Sequence, residues 1–147
     1  MNLDKYPLSA GETSMVYEFL SEGINGKIPK LIIYRETNLH NFYNIGFGDK
    51  NEMTGVIDDE VITNNGDSQK VLATVASSLL QFTDKYPNAM VYATGSTKSR
   101  TRLYRMGINN NLEMIEANFE IFGQHKYGWE LFKKGVEYEA FFVKRKI

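Results

Sequence analysis

Residues 68–94 constrain the architecture more than any other stretch of this chain. Val71, Leu72, Val75, Leu79 and Phe82 recur at helical spacing, and Ala76 fills the same face. Asn64-Asn-Gly-Asp67 punctuates the start, with Asp67 or Ser68 as N-cap. Tyr86-Pro-Asn88 marks the end, because a proline disfavours helix at the residue before it. The compact apolar run Ala89-Met-Val-Tyr-Ala-Thr94 follows at once and reads as a central strand. A second helix is expected from near Thr97 to near Gly107. A lone strand between two helices is most simply placed in one sheet with the rest, the helices covering it.

The remaining strands are readable from alternation. Val16-Tyr-Glu-Phe-Leu20 has period two, and Gly23-Ile-Asn-Gly26 turns the chain into a second strand, Lys30-Leu-Ile-Ile-Tyr-Arg35. A third, Asn41 to Gly48, places residues 43, 45 and 47 on one face and Phe42 on the other. Short connections make these three an antiparallel meander. Gly55-Val-Ile57 or Glu60-Val-Ile-Thr63 offers a further short strand. Leu112 to Ala117 extends helical structure, and Phe119–Gly123 with Tyr138–Lys144 forms a closing strand pair. The segment between that pair, 124–135, reads as a polar stretch anchored by Tyr127, Trp129 and Phe132. The expectation is one α+β domain over residues 1–147, of order β-β-β-α-β-α-β-β, with a mostly antiparallel mixed sheet and two principal helices.

A chain of 147 residues suits one domain. With no cysteine, disulfides, thiolate metal sites and cysteine nucleophiles are excluded. No apolar run approaches the ~18 residues of a membrane span, and residues 1–7 have no apolar signal region, so a cytoplasmic protein without a membrane partner is expected. Charge is uneven. Residues 1–67 hold 11 acids and 5 bases (net −6), and residues 68–147 hold 7 acids and 12 bases (net +5), which sum to the overall −1. Such asymmetry marks either an anionic partner for the second half or two halves that neutralise each other.

The chemistry concentrates in Gly95-Ser-Thr-Lys-Ser-Arg-Thr-Arg-Leu-Tyr-Arg105. Lys98, Arg100, Arg102 and Arg105 fall within eight residues with no acid among them, and Lys98, Arg102 and Arg105 form an i, i+4, i+7 stripe. Backbone N–H groups after Gly95 and the hydroxyls of Ser96, Thr97, Ser99 and Thr101 surround the helix start, where an anion is stabilised. Ser96, Thr97 and Lys98 would sit at the anion, and Arg100 and Arg102 would clamp it, since a guanidinium offers two parallel donors. The expected partner is a small phosphorylated ligand or nucleotide-type anion. The alternative is a nucleic acid, bound by the basic helix and Lys144-Arg-Lys146 with exposed Tyr or Trp for stacking. No motif names a cofactor.

Asn65-Gly66-Asp67 is a second candidate loop, since both it and the Gly95 turn lead from strand into helix. Asp67 is expected to cap that helix, pair with an arginine or bind a ligand hydroxyl. Asp49, Glu52, Asp58, Asp59 and Glu60 are the carboxylates available for a hard cation, without the spacing of a calcium loop. His40 and His125 stand alone, outside any metal-ligand spacing, and the serines show no nucleophile elbow.

Asn65-Gly-Asp67 with Val71-Leu-Ala-Thr-Val75, the Tyr92–Arg105 stretch and Tyr138-Glu-Ala-Phe-Phe-Val-Lys-Arg145 resemble an uncharacterised bacterial domain family of unknown function, along nearly the whole chain. More distantly, the element order is similar to the core of the GNAT acetyltransferases. Leu103-Tyr104 before Gly107-Ile108 resembles their Leu/Phe-Tyr…Gly-Phe pattern, with a tyrosine-to-glycine spacing one residue shorter. That resemblance implies Tyr104 as the acid that protonates a departing coenzyme A thiolate. Where those proteins show Arg/Gln-x-x-Gly-x-Gly/Ala, this chain has Asn64-Asn-Gly-Asp-Ser-Gln69.

Overall fold

The computed structural model describes residues 5–58, 64–95 and 97–146. Eight strands, β1 (Ser9–Ala10), β2 (Val16–Gly23), β3 (Gly26–Glu36), β4 (Phe42–Asp49), β5 (Met90–Ala93), β6 (Phe119–His125), β7 (Gly128–Leu131) and β8 (Ala140–Arg145), form one mixed sheet. Helices α1 (Ser68–Lys85), α2 (Lys98–Asn110) and α3 (Leu112–Asn118) complete an α+β fold. The sheet order is β1-β2-β3-β4-β5-β8-β6-β7, antiparallel throughout except for β4 and β5. That single parallel pair follows from the crossover through α1, since a hairpin cannot join parallel strands. Among the described residues no helix is long and apolar enough to cross a membrane.

The alternation read in the meander sets which face is covered. Tyr17 and Phe19, Ile32 and Tyr34, and Tyr43, Ile45 and Phe47 point to one side. Val91, Ile121 and Val143 continue that face across β5, β6 and β8. Val71, Leu72, Val75, Leu79 and Phe82 of α1, Ile108 of α2 and Ile115 of α3 close the core over it. On the opposite face Trp129 packs edge-on against Tyr92 and Phe142, and Phe122 stacks on Phe142.

Several boundaries differ from the sequence expectation. Helix α2 runs through Gly107 to Asn110. Gly107 faces α1 rather than ending the helix: a Cβ there would lie 3.3 Å from Leu72 Cδ2. The stretch around Trp129 is strand β7, hairpin-paired to β6. Ile57 makes an isolated bridge to Lys50, whereas the candidate strand at 60–63 lies outside the described residues. The ion pairs seen among the described residues join partners from the same half of the chain: Lys30–Asp49 and Lys50–Glu18 in the first, Arg105–Glu137, Lys144–Glu120 and Arg145–Asp84 in the second.

Candidate functional site

The cleft between the start of α1 and one flank of α2 is built from the Asn65 loop and the first residues of α2. Asn64, Asn65, Asp67 and Ser68 form one wall, and Thr97, Ser99, Arg100, Leu103 and Met106 form the other. Phe47, Val71 and Leu72 make an apolar floor, Lys30 closes the far end, and the volume is about 680 Å³. This first cleft is within the size range of small-molecule sites, and its apolar floor with a polar rim has their usual composition.

The wall around Asn65 is rigid for reasons internal to the chain. Asn65 is 1% exposed. Its amide nitrogen donates to Ser21 Oγ at 3.1 Å and to the Gly26 carbonyl at 2.9 Å, and its Oδ1 accepts from the Asn25 N–H at 2.6 Å. Both ends of the amide are thus occupied in holding the β2–β3 turn. Gly66 has φ +78°, the left-handed region that glycine enters without strain. Asp67 stands at the N-cap position of α1, but its side chain makes no cap bond. The carboxylate instead accepts from Tyr6 Oη at 2.5 Å and Ser21 Oγ at 2.6 Å. Burial first, and the Asp67 carboxylate next, hold the Tyr6 phenol above its usual pKa.

Helix α2 divides the expected anion site in two. Arg100 and Arg102 are two residues apart and so point about 160° away from each other. Arg100 lines the first cleft, with Ser99. Lys98, Arg102 and Arg105 line a second cleft of about 580 Å³ on the other flank, with Thr94, Gly95, Thr101, Glu137 and Glu139. The two guanidinium groups therefore do not form a clamp on one side of the helix. Thr97 caps α2, its Oγ1 accepting from the Arg100 N–H at 3.2 Å, and lines both clefts. The Gly95 N–H donates to Thr101 Oγ1 at 3.1 Å, and a Cβ at Gly95 would lie 2.4 Å from the Thr101 nitrogen. Close packing of the turn on α2 thus accounts for this glycine. Ser96 lies outside the described residues.

Tyr104 opens into neither cleft. It borders a small apolar cavity of about 60 Å³ with Ile45, Leu72 and Val91. Strands β4 and β5 pair only from Phe42 with Met90 to Asn44 with Tyr92, and β4 then runs on beyond its partner. The Tyr104 hydroxyl reaches that gap and donates to the Ile45 carbonyl at 3.1 Å. Burial pushes its pKa up to about 12, against the opposing effects of Arg100 and a backbone hydrogen bond at Phe47. A folded-state pKa above the unfolded value of about 10 stabilises the fold below pH 10, and this contribution is lost as pH rises toward about 12. Tyr104→Phe is expected to cost about 1 kcal/mol at neutral pH and to flatten the loss of stability above pH 10. Urea titrations at pH 7 and pH 11 check both; an alkaline slope unchanged from the wild type would show that Tyr104 does not contribute to it.

Lys30 went unrecognised in the sequence. It is 1% exposed, and its ammonium meets Asp49 Oδ1 at 2.6 Å. Counting back by twos from Ile32 would have placed it inward. Asp49 therefore holds a lysine rather than a cation site with its acidic neighbours. Among the described residues there is no group of three or more His, Asp or Glu side chains able to hold a metal, and Asp59 and Glu60 lie outside them. His125 Nε2 meets Glu130 Oε1 at 2.9 Å while its Nδ1 accepts from the Tyr127 N–H, which ties it to its own hairpin turn. Hydrogen bonds from Tyr138 and His125 hold the Glu130 carboxyl below its usual value.

No curated protein and no solved structure matches the chain. A model of a family of unknown function (DUF6934) matches residues 2–146. By that match along nearly its whole length, the chain belongs to this family of unknown function.

Proposed function

We propose that this protein binds a phosphorylated small molecule of nucleotide type in the cleft between α1 and α2. The observation that carries the reading is the convergence there of the Asn64–Ser68 turn and the Thr97–Leu103 flank. The apolar floor of Phe47, Val71, Leu72, Leu103 and Met106 suits a base or an acyl chain. Arg100 and Ser99 suit a phosphate at the rim, away from the Asp67 carboxylate, which Tyr6 and Ser21 hold on the opposite wall and which disfavours an anion beside it.

The parallel β4–β5 pair bridged by α1, and the insertion of β8 between β5 and β6, support reading the topology as GNAT-like. Acyl-coenzyme A therefore belongs among the ligands to try.

The test is a thermal-shift screen of nucleotides, acyl-coenzyme A, inorganic phosphate and short RNA at low and moderate salt. A ligand at 100 times its Kd stabilises by about 2.7 kcal/mol, which moves Tm by several degrees in a domain of this size. Arg100→Ala is expected to remove the shift, with the fold of the free variant checked by its own thermal transition. A shift given by RNA alone, and lost steeply with salt, would replace this reading by nucleic-acid binding.

A further inference from the structure

The two clefts on α2 are separate pockets that meet at one residue. Thr97 lines both, at the helix start. On one flank lies Arg100; on the other lie Lys98 and Arg102, four residues apart and on the same stripe. Arg105, the next residue of that stripe, is 3.6 Å from Glu137. Lys98 and Arg102 have no ion-pair partner among the described residues, although both border a concave space of about 580 Å³. A solvated helix face would leave cations on a convex surface. Here they line a pocket that opens beside the cleft proposed to hold a phosphate.

We infer that the ligand carries two separated phosphate groups and straddles the start of α2. This rests on the binding reading given above and names its ligand class more closely. One phosphate lies in the first cleft with Arg100, and the body of the ligand crosses over Thr97. The second phosphate lies in the second cleft with Lys98 and Arg102. Side chains in the first turn of a helix lean toward its N-terminus, so these cations reach toward the crossing point from both flanks. A helix is about 10–12 Å across with its side chains. A single phosphate therefore cannot engage both flanks, whereas the 3′ and 5′ phosphates of one ribose can each reach a cation group, because these side chains lean toward the crossing point. Glu137 and Glu139 border the same pocket. They place the second phosphate at its Lys98–Arg102 end and disfavour ligands with further negative charge beyond it.

The experiment compares 5′-monophosphates with 3′,5′-bisphosphates of the four common nucleosides, by isothermal titration calorimetry on the whole chain. For at least one nucleoside the bisphosphate is expected to bind about tenfold tighter or more, the size of one charge-assisted contact. In the Lys98→Ala/Arg102→Ala variant that advantage should fall to about twofold or less, with the monophosphate affinity unchanged. Arg100→Ala should weaken both ligands. Lys98 and Arg102 lie at the surface, and a cooperative thermal transition of each free variant confirms that it is folded. Equal affinity of mono- and bisphosphates for the wild type would overturn the two-phosphate inference and leave the single-site reading standing. So would a bisphosphate advantage that survives loss of Lys98 and Arg102. Absence of binding by every nucleotide would overturn the binding reading itself, and this inference with it.

Discussion

Phe82→Ala is expected to destabilise the protein by about 3–5 kcal/mol, the range for emptying a buried aromatic site. Phe82 is fully buried and central to the contact between α1 and the meander. Its ring stacks on Tyr34 at a centroid distance of 4.0 Å and an angle of 5°, and meets Tyr43 edge-on at 5.1 Å. Tyr86 tilts against its other side at 5.1 Å. Alanine would leave three aromatic neighbours facing a void, none of which can move far, because Tyr34 is itself hydrogen-bonded to Ser78 across the core. A loss of that size is a large share of the 5–15 kcal/mol typical of a whole domain. Urea denaturation reads it as a lower midpoint at constant slope. Phe82→Leu, which keeps most of the volume, should cost markedly less. A change below about 1 kcal/mol for the alanine variant would contradict the packing of α1 described above.

The second large effect is expected at Gly23. A Cβ added there would lie 1.9 Å from the carbonyl oxygen of Asn65. That oxygen already accepts from the Ile24 N–H at 3.1 Å. The obstacle is backbone, in a loop whose asparagine amide is bonded at both ends, so it cannot yield as a flexible side chain would. Gly23→Ala should therefore cost about 3 kcal/mol, the upper end of ordinary overpacking. Its binding effect is more telling. Displacing Asn65 moves a wall of the first cleft, so ligand affinity should fall together with stability. Gly26→Ala is the matched control in the same hairpin. Its φ of +86° strains an alanine, but nothing lies within 4 Å of the added carbon. A cost of about 1 kcal/mol, with the cleft wall unmoved, is expected there.

What the sequence revealed, and what it concealed, follows the range of the forces involved. Helix α1 was legible because a five-member apolar stripe and a proline are local signals. The meander was legible because alternation reports burial one strand at a time. Gly107 misled because glycine serves both as a helix stop and as a close-packing site. Only the position of Leu72 across the helix interface decides between them. Strand β7 was hidden by its short length and its edge position, where polar residues are normal. The same limit applies to the site. The Asn65 loop and the start of α2 were both picked out, but whether they share a cleft depends on how α1 and α2 pack, and the Gly95 turn itself borders the other cleft. The separation of Arg100 from Arg102 was implicit in their spacing, yet a count of cations obscured it. Lys30 was concealed because a lysine in a strand reads as solvent-facing until its carboxylate partner, 19 residues on, is placed beside it.

The insertion of β8 between β5 and β6 has a bearing on how the chain is made. During synthesis the β6–β7 hairpin leaves the ribosome before the strand that joins it to the rest of the sheet. Until residues 140–145 emerge, β5 presents an unpaired edge on that side, and the hairpin has no neighbour to dock against. The β2–β4 meander, whose pairings lie within residues 16–49, can assemble earlier. Vectorial folding is thus expected to run in two stages, the sheet closing only when the last of its described strands arrives. Nascent chains halted before β8 are the species in which exposed strand edges, and so chaperone capture, should be greatest.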